Sequence, residues 1–170
     1  MYDQINSVRE FLEEAREVLL PPPEGKPPPS FHVVPKNSYS GFRNRPVGKL
    51  IDELNSSYSH SNYNSCAVLA RRVLEIFLID SFIKAGSDHL IRDSNGNYGM
   101  LAAIISIVKS GNSGFDSYLS RNVKQSYIDK IKEAGDLAAH HRTHLVSRNT
   151  IDDLKTPIST IVSDFSAYLY

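Results

Sequence analysis

Apolar positions recur at helical spacing over most of the chain. Ile5, Val8, Phe11, Leu12, Ala15, Val18 and Leu19 fall on one face and predict an amphipathic helix from about Asp3 to Leu20. Pro21-Pro22-Pro23 ends it, and Pro27-Pro28-Pro29 prolongs the break as a stiff connector. Residues 31–45 read as an irregular loop punctuated by Pro35 and Gly41. Val47, Leu50, Ile51 and Leu54 then share a side, so a short helix is predicted from Pro46 to about Ser57, with proline at its first position.

The strongest helical signal lies between Asn62 and Lys84, closed by Gly86. It is apolar nearly all round, which predicts a helix surrounded by others. Another apolar run, Gly99 to Lys109, is closed by Gly111, and the connection before it carries a turn at Asn95-Gly96. Helix is predicted again from Phe115 or Arg121 towards His140. Thr150 and Asp153 have the spacing of a capping box for a last helix, which Pro157 should bend or split. No strand-period segment competes. The pattern predicts an all-α, up-and-down helical bundle of about five to six helices with a proline-rich N-terminal connector. The division is an amphipathic helix over 1–20, a connector and loop over 21–45 and the bundle over 46–170.

Charge narrows the function classes. Lys plus Arg and Asp plus Glu both number 19, so no global basic field draws in nucleic acid, and any such contact needs a local patch. The single cysteine, Cys66, excludes an internal disulfide and reads as a small buried hydrophobe. No run is apolar enough to span a membrane, and the N-terminus lacks a secretory pattern, so a cytoplasmic location without membrane contact is expected.

Two segments carry candidate chemistry. In the central helix, Arg71, Arg72 and Glu75 share a sector, with Glu75 four residues from Arg71 and three from Arg72. This is either a surface ion pair or a half-buried one that needs further partners. The second segment is Gly135-Asp136-Leu137-Ala138-Ala139-His140-His141, followed by His144. Its small residues allow a helix or a ligand to come close. His32, His60 and His89 are isolated, so no metal set is completed and no metal or cofactor is expected. No activated serine or cysteine is evident for a nucleophilic mechanism. General acid–base or phosphate-contact chemistry by His140, helped by an arginine from another helix, competes with a plain cationic helix end.

Together, Ala70-Arg71-Arg72-Val73-Leu74-Glu75 and the later Gly135-Asp136-Leu137-Ala138-Ala139-His140 resemble a prokaryotic domain family of uncharacterised function. That family is similar to the HEPN superfamily and often accompanies restriction and phage-defence genes. The resemblance spans about Val47 to Tyr170. It implies a helical bundle, commonly a homodimer, with the histidine on an inward or interface-facing helix. HEPN ribonucleases place an arginine before the histidine with four to six residues between the two, for the scissile phosphate. Here Glu133, Ala134 and Gly135 occupy those positions, and Asp136 stands where the family usually has Asn. The resemblance therefore implies a non-catalytic or degenerate module acting by dimerisation and by binding a partner, RNA or a nucleotide-type ligand. In that arrangement His140 and Asp136 would hold a buried polar network with Arg72 and Glu75. The alternative is a metal-independent ribonuclease with His140 catalytic and Arg71 or Arg72 on the phosphate.

Overall fold

The structure is a computed structural model and describes residues 32–43, 45–140, 143 and 145–170. The predicted helix from Asp3 to Leu20 and the proline-rich connector over 21–30 lie outside the described residues, as do His141 and His144.

The described residues form an all-α helical bundle. A 3-10 turn, η1 (Lys36–Phe42), precedes helices α1 (Pro46–Ser59) and α2 (Tyr63–Lys84). A second turn, η2 (Asp88–Ile91), leads to α3 (Leu101–Lys109), α4 (Asp116–Asn122), α5 (Gln125–His140) and α6 (Arg148–Leu169). Helix α2 is the hub, packed against α1, α5 and α6. Its Cys66, Ala67, Ala70, Val73, Leu74, Phe77, Leu78 and Phe82 are all buried, as its nearly continuous apolar sequence demands. Phe77 stacks on Phe165 of α6 at 5.7 Å between ring centroids, and Phe82 meets Phe115 edge-on at 5.1 Å.

The glycines close helices where the sequence places them. Gly86 (φ +69°) follows α2 and Gly111 (φ +73°) follows α3, both in the left-handed region that spares glycine a steric penalty. Three details differ from the sequence expectation. The last helix is capped by Ser147, whose Oγ accepts the Thr150 N–H at 3.2 Å, one turn before the predicted Thr150-Asp153 box. Pro157 lies buried inside α6 without splitting it. The predicted helix ending at His140 is two helices, α4 and α5, broken at Val123-Lys124.

The largest difference concerns residues 32–43, expected to be part of a connector. Val33, Val34, Tyr39 and Phe42 are buried in the core, so the compact unit reaches back well before Pro46. Asn55 of α1 holds this segment. Its Oδ1 accepts the Val33 and Val34 N–H groups at 2.9 and 3.0 Å. Its Nδ2 donates to the Val34 carbonyl at 2.9 Å and the Tyr39 hydroxyl at 3.3 Å. A buried side-chain amide with both acceptor sites and both donors used is fully satisfied.

Candidate functional site

The two singled-out segments meet where α5 crosses α2. Gly135 makes the crossing possible. A Cβ at this position would lie 2.4 Å from the Arg71 Cβ, 2.7 Å from its Cδ and 3.0 Å from the Ala67 carbonyl oxygen. The backbone of α5 thus rests directly on the aliphatic stem of Arg71, an approach that any larger residue would block.

The next residue answers the charge this approach brings. Arg71 Nε donates to Asp136 Oδ1 at 2.7 Å, and Lys132, one turn back on α5, donates to Asp136 Oδ2 at 2.6 Å. All three side chains are about a quarter to a third exposed, so the cluster is half-buried. Burial works against the Asp136 carboxylate, but the hydrogen bonds from Lys132 and Arg71 outweigh it and hold its pKa below the ordinary carboxylate range. Asp136 is therefore ionised at neutral pH, a single acceptor for two cations. Arg71 donates only through Nε among the described residues, which leaves its two terminal amino groups for another partner.

These residues line a groove of about 530 Å³. Arg71, Lys132, Glu133 and Asp136 supply its charged wall, Leu137 and Ala102 its apolar part, and His140 one end. Met100, at the start of α3, also lines it, with 80% of its surface exposed. The charges balance, two cations against two carboxylates.

His140 and Arg71 thus share one groove, as the sequence alternatives allow. The predicted network of His140 and Asp136 with Arg72 and Glu75 is not what forms. Arg72 donates instead to Glu75 at 2.5 Å on the outer side of α2, where the Arg72 side chain is 56% exposed. Adjacent helical residues point about 100° apart, so Arg71 faces α5 and Arg72 does not. Arg71 takes Asp136 rather than Glu75 as its partner. His141 and His144 lie outside the described residues, so the site is built from Arg71, Lys132, Asp136 and His140.

Lys132 was not anticipated, although its four-residue spacing to Asp136 on one helix was a readable signal. Met100 and Ala102 come from a helix with no sequence link to the motif. Cys66 is 1% exposed, and burial pushes its thiol pKa up to about 11, which suits a packed hydrophobe and not a nucleophile. Among the described residues no group of three side chains could hold a metal ion, and no helix is long and apolar enough to cross a membrane.

Comparison with family models, with curated proteins and with solved structures finds no match to this chain.

Proposed function

We propose that this chain is a HEPN-like helical module that is non-catalytic or degenerate. In this reading it works by dimerisation and by holding a partner or ligand in the groove between α2, α3 and α5, in a defence-type system. The link to defence rests on the sequence resemblance alone. The observation that carries the non-catalytic reading is the position of Asp136 between Arg71 and Lys132. A metal-independent ribonuclease needs an uncompensated cation where charge develops on the phosphate. Here an ionised carboxylate already takes both cations at hydrogen-bonding distance, and it would repel an incoming phosphate. Binding is still served, because the two terminal amino groups of Arg71, the apolar wall and His140 present a mixed surface of the kind that small-ligand and peptide grooves use.

The ribonuclease reading retains one supporting observation, the presence of Arg71 and His140 in the same groove. A cleavage assay separates the two. Labelled single-stranded RNA is incubated with the purified chain in EDTA, beside His140→Ala and Arg71→Ala variants checked for folding by circular dichroism. No cleavage by any of them is expected. Cleavage by the wild type that disappears in both folded variants would overturn the non-catalytic reading.

A further inference from the structure

Helix α2 is the hub of the bundle, yet one of its faces is left largely apolar and is not covered by the described residues. At about 100° per residue, Val68, Leu69, Arg72, Ile76, Ile79 and Ile83 fall within a sector of roughly 100°. Val68 and Ile83 are 39% and 49% exposed, and Leu69, Ile76 and Ile79 are only partly buried. A hub helix normally turns a polar face to solvent; here Arg72 and the partly buried Ser65 are the polar residues within the sector, Glu75 and Asp80 flank it on either side, and the remaining positions are apolar.

The arrangement along the helix is self-complementary. The midpoint of α2 falls between Val73 and Leu74, and Arg72 and Glu75 are equidistant from it. So are Val68 and Ile79. A second copy laid antiparallel across this face, with the two-fold axis at that midpoint, brings each Arg72 to the other copy's Glu75 and each Val68 to the other copy's Ile79. Ile83 then meets the position of Asn64, where the face opens into a groove of about 520 Å³ lined by Ser56, Ser57, Ser65, Val68 and Leu69, with Glu53 of α1 among them. An exposed knob at one end of the face thus answers a hollow at the other.

From this we infer that the outer face of α2 is the surface through which two copies of this chain associate, antiparallel and paired through Arg72 and Glu75. The inference rests on the dimerising half of the function proposed above and assigns it a surface distinct from the Arg71–Asp136 groove. The area sets the strength. A 22-residue helix is about 33 Å long, and a face about 10 Å wide offers roughly 300–400 Å² per copy before α1 adds its share. The two copies together bury roughly 600–800 Å² through α2 alone, below the size of a standard specific interface, so the association is weak and concentration-dependent.

Sedimentation velocity over a concentration series tests this on the full chain. The wild type is expected to shift from monomer to dimer across the micromolar range. Arg72→Glu and Glu75→Arg should each weaken self-association at least tenfold, because each places like charges across the axis. An equimolar mixture of the two variants should dimerise again, since every cross-axis pair is then opposite in sign. Restoration in the mixture is specific to contact between copies, because neither variant regains its own intrahelical pair. Ile83→Asp, at an exposed position, should also give monomer with an unchanged circular dichroism spectrum. A wild type that stays monomeric beyond about 100 µM overturns the dimerising reading as a whole. A wild-type dimer that persists in Ile83→Asp and both charge variants overturns this surface alone.

Discussion

Replacing Gly135 by alanine sets two effects of opposite sign against each other. Gly135 lies in the interior of α5, and helix propensity alone favours alanine there by about 1 kcal/mol. Packing opposes it. The new methyl would lie 2.4 and 2.7 Å from two carbons of Arg71, where carbon contacts prefer about 3.5–4 Å. The closer of the two is the Arg71 Cβ, fixed to the backbone of α2, so the side chain cannot swing aside. The helices must separate by about 1 Å, which loosens the most extensive helix pair in the bundle and lengthens the Arg71–Asp136 hydrogen bond. Overpacking of this kind costs about 1–3 kcal/mol, and contact with a fixed atom places it at the upper end. After the propensity gain, a net loss of about 2 kcal/mol remains. For a domain of this size that lowers the melting temperature by roughly 6 °C. Thermal and urea unfolding followed by circular dichroism at 222 nm reads the result. An unchanged or raised melting temperature would show that propensity decides at this position and that the close approach of α5 to α2 is not what glycine provides.

Asn55→Ala is expected to cost about 3 kcal/mol, since four hydrogen bonds are lost and the Val33 and Val34 amides are left buried without an acceptor. Hydrogen exchange should show those two amides losing protection first, and a loss under 1 kcal/mol in urea titration would contradict the role given to Asn55. The pH dependence divides two carboxylates by sign. Asp136 has a lowered folded pKa, so its stabilisation is present above the unfolded value near 4 and is lost as pH falls through the lower folded value. Asp136→Asn should therefore be the less stable form at pH 7, by under about 1 kcal/mol for a half-exposed cluster, and should lose that deficit in acid. Asp164 has a folded pKa raised by burial, so it favours the folded state below the unfolded value and costs stability once pH rises through the raised one. Asp164→Asn should raise the melting temperature at pH 7 and leave it unchanged near pH 3, and the two variants shifting in the same direction at pH 7 would refute the assignment.

Helical periodicity carried most of the architecture because it depends on local spacing alone. The all-round apolar character of Tyr63–Lys84 marked it as the hub, and Gly86 and Gly111 marked ends, each through a conformation that needs no tertiary partner. What periodicity missed depends on contacts distant in sequence. Residues 32–43 have loop composition, and they join the core because Asn55, more than twenty residues on, satisfies their backbone. Ser147 and Thr150 are both plausible caps by residue type, and the fold chooses the earlier one. Pro157 removes one backbone donor, and the packing of Ile151, Leu154, Ile158 and Ile161 on the core keeps α6 whole regardless. At the site, spacing placed Arg71, Arg72 and Glu75 in one sector, but which arginine meets α5 depends on where α5 crosses.

That crossing changes what the Gly135-Asp136 pair signifies. Glycine lets α5 come down onto the stem of Arg71, and aspartate neutralises the guanidinium that the same approach half-buries. Both residues are thereby accounted for by the joining of two helices, so neither requires a reaction to explain it. His140 has no such account. It is exposed at the end of the groove and makes no hydrogen bond among the described residues. Met100 is exposed at 80% beside a cavity, where an apolar side chain gains nothing from water. Both side chains are exposed, both line the groove, and neither belongs to the Arg71–Asp136–Lys132 cluster. Substitutions there are expected to leave the helix pair intact and so test the proposed binding apart from packing, whereas variants of Gly135, Arg71 or Asp136 disturb the packing as well.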